Sequence, residues 1–61
     1  MDNVTIMFSP LHDVGYHLYE RKLDGSRFMS IIAPDEWLNL EFYKLKFIGT
    51  YKFNNNEWEK V

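Results

Sequence analysis

The run Tyr43-Lys44-Leu45-Lys46-Phe47-Ile48-Gly49-Thr50-Tyr51-Lys52-Phe53 restricts this chain more than any other stretch. Its odd positions carry Tyr43, Leu45, Phe47, Tyr51 and Phe53, broken only by Gly49. Its even positions carry Lys44, Lys46, Thr50 and Lys52, broken only by Ile48. Side chains alternate across a strand, so the run predicts a half-buried β-strand with one apolar face and one mostly basic face. Every other segment must pair with this strand or cover its aromatic side.

Val4, Ile6 and Phe8 alternate with Thr5 and Met7 as a first short strand, ended by Ser9-Pro10 because proline offers no ladder hydrogen bond. Two runs, Tyr16 to Leu23 and Arg27 to Ile32, flank Asp24-Gly25, a strong hairpin signal. The loop length stays open between two and four residues. Either register puts His17, Tyr19, Arg21 and Leu23 on one face with Phe28, Ser30 and Ile32. The other face takes Tyr16, Leu18, Glu20 and Lys22 with Arg27, Met29 and Ile31.

Pro34 and the carboxylates Asp35 and Glu36 suit the first turn of a helix. Lys44 and Lys46 before Gly49 would suit its last turn. A helical wheel from Trp37 to Phe47 has no polar face, however, so the helix is expected to end near Glu41 and Tyr43–Phe47 to be extended. Asn54-Asn55-Asn56 is a turn, and Glu57 to Val61 a short closing strand. Residues 1–61 thus read as one α+β domain, an antiparallel sheet of about five strands with one short helix; the alternative is a small five-stranded β-barrel.

A chain of 61 residues without cysteine must stabilise itself by apolar burial alone. Eleven aromatic side chains, each burying roughly 150–250 Å², are a large stock for so small a core. A protein partner or a homo-oligomer is the natural outlet for the surplus. The expected protein contact comprises Tyr16, Leu18, Met29, Ile31, Ile48 and Trp58. By association alone, the composition suits a small phage-type accessory or inhibitor protein.

Chemistry is sparsely encoded. His12, Asp13 and His17 have metal or acid–base potential, but their spacing fits no established ligand pattern. Ser9, Ser26 and Ser30 lack the strained turn and neighbouring base of a nucleophile, and the three glycines are isolated, so no phosphate loop exists. Neither an enzyme activity nor a metal or cofactor is expected. No apolar run is long enough to span a membrane, the acidic start is wrong for a signal peptide, and the lack of cysteine fits a cytoplasmic setting. Asn3-Val4-Thr5 matches a glycosylation pattern that means little without export. The class-different alternative is weak single-stranded nucleic-acid binding by Lys44, Lys46 and Lys52 on one strand face, against which the net charge of −2 speaks.

Overall fold

The computed structural model describes residues 3–61; Met1 and Asp2, on which the signal-peptide expectation partly falls, lie outside the described residues. Five strands form one curled sheet: β1 (Val4–Thr5), β2 (Gly15–Arg21), β3 (Arg27–Ser30), β4 (Leu45–Asn54) and β5 (Glu57–Lys60), in the order β1-β3-β2-β4-β5. The sheet is mixed. β1 lies parallel to β3, pairing only Val4 with Arg27 and Thr5 with Phe28, while the other pairings are antiparallel. The all-antiparallel expectation fails at β1, because strand alternation fixes which face a residue takes but not which strand it joins.

The hairpin at Asp24-Gly25 forms with a four-residue loop, closed by Arg21 N–H to the Ser26 carbonyl at 2.7 Å. Asp24 Oδ1 accepts from both the backbone N–H and the hydroxyl of Ser26. Those bonds, with Arg21 nearby, hold its carboxyl below the usual range. Gly25 has φ +74° and nothing within 4 Å of where a Cβ would sit. Gly25→Val should therefore cost about 1 kcal/mol or more through backbone strain alone, read as a shift of the urea midpoint. The second hairpin turns through Asn55 and Asn56, both at positive φ, the geometry whose twist matches flanking strands.

The expected helix shrinks to a single 3-10 turn, Pro34–Glu36. Trp37 leaves it in extended conformation, its ring packed 5.7 Å from that of Tyr19. A second single turn follows: the Asn39 side chain accepts from Glu41 N–H, and Lys44, at φ +53°, stops it. The stop is a Schellman arrangement, with Leu45 N–H on the Leu40 carbonyl and Lys44 N–H on that of Glu41. The domain is accordingly almost all sheet, and the strand starts at Leu45, two residues later than the alternation suggests.

β4 is not one continuous alternation either. Tyr16 faces Tyr51 and Leu18 faces Gly49, but Tyr19 faces Phe47 and Arg21 faces Leu45. Ile48 is the extra residue of a β-bulge, which reverses the facing of everything beyond it. Leu45 and Phe47 therefore lie with Tyr19 on one side of the sheet, and Tyr51 and Phe53 with Tyr16 and Leu18 on the other.

Both sides are covered. On the first side the 31–44 connection folds over Tyr19, the largest fully buried side chain, whose ring meets Phe28 at 5.6 Å, Trp37 at 5.7 Å and Phe47 at 5.7 Å. Leu45 is buried as expected, but Phe47 stays 38% exposed at the edge of this cluster. On the second side Tyr16, Leu18 and Met29 form a buried cluster with Val4, Ile6, Phe8, Val14, Ile48, Tyr51 and Trp58 packed around it. Two small cores on one sheet house most of the aromatic stock.

Candidate interaction site

The sheet's second side is roofed by the segment between β1 and β2. Phe8 stacks on Tyr16 with ring centroids 4.9 Å apart, and Leu11 N–H donates to the Tyr16 hydroxyl oxygen at 3.0 Å. Asp13, at φ +62°, then turns the chain back into β2, a conformation that a short polar side chain tolerates better than most. This roof does not close against β3. β1 stays beside β3 only as far as Thr5 and Phe28, after which the chain lifts across the face.

The gap is an apolar groove of about 520 Å³. Phe8, Ser9 and Leu11 line one wall, Tyr16 and Met29 the floor, and Ser30 and Ile31 the other wall. Leu11 is 64% exposed and Ile31 58%, so the rims present aliphatic surface to solvent. A volume of this size lies within the usual range of binding clefts, though no charged side chain lines it to anchor a polar ligand. It is suited to apolar side chains of a binding partner.

The residues expected in a protein contact separate on this geometry. Tyr16, Met29 and Ile31 all border the groove. Leu18 is buried, and Ile48 and Trp58 pack against its cluster, Trp58 edge-on to Tyr16 at 5.7 Å. These three are core, and even Tyr16 and Met29 expose only a sliver. An open sheet surface made of all six does not exist, because the 6–14 segment covers it. Phe8, Ser9 and Leu11 escaped sequence reasoning; the one signal was Leu11, an aliphatic residue between Pro10 and the polar pair His12-Asp13.

The lysine face is also redistributed. Lys46 lies opposite Glu20 and Lys52 opposite Gly15, on opposite sides of the sheet because of the bulge between them. Lys44 precedes the strand altogether. A single stripe of three ammonium groups is absent.

Among the described residues the titratable groups of the sequence-predicted cluster do not come together. His17 Nδ1 lies 3.0 Å from Thr50 Oγ1, whereas His12 sits edge-on to Phe53. Among the described residues no three His, Asp or Glu side chains gather to hold a metal ion. The Tyr19 phenol is raised by burial, opposed by the nearby Trp37 indole and reinforced by the Glu36 and Asp35 carboxylates. Its hydroxyl donates to the Ile32 carbonyl at 2.6 Å, whereas the Trp37 N–H meets no acceptor in good hydrogen-bond geometry. Two of the three serines are occupied structurally: Ser26 by Asp24 and Arg21, Ser30 by Ile32 N–H. No helix among the described residues is long and apolar enough to cross a membrane.

Fold and groove together define a small two-sided sheet domain with an apolar cleft. The chain belongs to the family described as "Protein of unknown function (DUF2452)", whose model matches residues 5–61. No curated protein and no solved structure matches it.

Proposed function

We propose that this chain is a non-catalytic protein-binding domain that receives an apolar segment of a protein partner, or of a second copy of itself, in the groove between residues 8–11 and β3. The observation carrying this reading is the groove's aliphatic rim, Leu11 and Ile31, left open over an aromatic floor. Exposed contiguous apolar surface on a small domain commonly marks an interaction site. The reading includes a cytoplasmic setting, which a cysteine-free chain suits.

Because the chain has no cysteine of its own, Ile31→Cys can carry a photo-crosslinker at a single point. That probe should capture a partner or a second copy, and adding Leu11→Asp should abolish the crosslink with the melting temperature unchanged. A probe at Leu23→Cys, exposed at the far hairpin tip, should capture nothing. Equal labelling from both positions, or labelling indifferent to Leu11→Asp, would remove the groove from the contact.

A further inference from the structure

At the other end of the β2–β3 hairpin, the fold gathers charge that is dispersed in sequence. Arg21 pairs with Leu45, Lys46 with Glu20, and Glu20 with Arg27 in adjacent ladders, while Lys22 N–H bonds the Lys44 carbonyl at 2.9 Å. Five of the chain's seven Lys and Arg side chains thus meet at this end, against three of its nine carboxylates, Glu20, Asp24 and Glu41. A protein of net charge −2 consequently carries a basic pole.

Part of that charge is already partnered. Lys22 is ion-paired with Glu41 at 2.6 Å and Arg27 with Glu20 at 3.0 Å. Among the described residues Arg21, Lys44 and Lys46 have no carboxylate at ion-pair distance. Arg21 lies 4.4 Å over the Phe28 ring, which holds its guanidinium over the sheet. Next to Lys44 come Tyr43 and Phe42, their rings 5.2 Å apart and perpendicular, with Phe42 76% exposed. Phe47, on the Arg21 side of the sheet, is also partly exposed.

We infer that this pole is a binding surface for single-stranded nucleic acid, with Arg21 and Lys44 on phosphates and Phe42 as a stacking platform for bases; Lys46, opposite Glu20, projects from the other side of the sheet and is left out of the contact. Unpaired cations beside exposed aromatic faces are the combination that non-specific single-strand binders use. An acidic peptide would satisfy the cations but leave the aromatic rings without the flat partners that bases supply. The surface is separate from the groove, so failure of one leaves the other standing.

The test is fluorescence anisotropy of a labelled single-stranded oligothymidine with the full chain, titrated over salt. With two phosphates neutralised, log affinity should fall against log salt with a slope of about −1.4. Neutralising Lys44→Asn, chosen to keep the left-handed backbone, should shrink that slope to about −0.7, whereas Lys46→Gln should leave it unchanged. Phe42→Ala should weaken binding about ten-fold and leave the slope unchanged. Lys52→Gln and Lys60→Gln, outside the pole, should change neither. The inference is overturned by absence of binding at low salt, by equal losses from Lys52→Gln, or by polyglutamate binding as tightly as the oligonucleotide.

Discussion

Tyr19→Ala is expected to leave the domain largely unfolded at room temperature. A chain of 61 residues holds roughly 3–9 kcal/mol in total, and removing a buried aromatic ring costs about 3–5 kcal/mol. Tyr19 is the worst place to lose one, because Phe28, Trp37 and Phe47 all pack on its ring and its hydroxyl ties down Ile32. Without it the 31–44 connection has nothing to fold onto. Tyr19→Phe separates ring from hydroxyl: the fold should survive at a cost of about 1–3 kcal/mol for the Ile32 carbonyl left without its donor. Circular dichroism with urea denaturation distinguishes the two outcomes.

The same phenol couples stability to alkaline pH. Its folded value is raised above 10.0, chiefly by burial, whereas in the unfolded chain it returns to the ordinary value. Between those values the unfolded state loses its proton and the folded state keeps it. The unfolded state then binds fewer protons, so stability falls as pH rises through that window. The contribution is complete below pH 10.0 and absent above the folded value. Tyr19→Phe should flatten that part of the stability profile, and equal slopes for the two proteins would show that the phenol titrates alike in the folded and unfolded chain.

The hairpin and the facing of its side chains were legible because turn chemistry and strand alternation are local. Asp24-Gly25 and the pairing of Tyr19 with Phe28 follow from neighbours within a few residues. The bulge was also written in the sequence, though as a flaw in a pattern. Ile48 and Gly49 are the two residues that break the alternation of β4, and the phase slip falls at Ile48, between Phe47 and Gly49. Read as interruptions, they implied one aromatic face; read as an inserted residue, they divide the aromatics between two. The surplus that suggested a partner is largely absorbed by that division.

The rest depended on distant contacts. Pro34, Asp35 and Glu36 do start a turn, but no apolar stripe follows to dock a longer helix, and Trp37 is drawn onto Tyr19 instead. The parallel pairing of β1 and the open groove beside it depend on where the 6–14 segment crosses the sheet, which no short-range pattern records. Of the expected contact residues, Ile31 is exposed for a reason the sequence did not carry: β3 ends at Ser30, one residue before it, where the alternation ran the strand on to Ile32.

Leu18→Ser and Met29→Ser should each destabilise the fold outright, and together should prevent folding. Were these side chains an interface, serine would weaken association and spare the monomer. The structure instead places them directly opposite one another across β2 and β3, under Val4, Ile6, Phe8 and Ile48. Large-to-small changes at such positions cost about 2–5 kcal/mol each, and the serine hydroxyl adds the cost of an unpaired polar group. The two residues touch one cluster, so the double change should fall short of the sum of the single ones. Even so, it meets or exceeds what a domain of this size can lose. Leu11→Asp and Ile31→Asp are the counterpart on the groove rim, where exposed side chains should change the unfolding free energy by no more than about 0.5 kcal/mol. A stable, cooperatively folded Leu18→Ser/Met29→Ser protein would mean that the roof over this face is loosely held and the sheet beneath it open to partners. An unfolded one, beside two folded rim variants, would divide core from contact surface residue by residue.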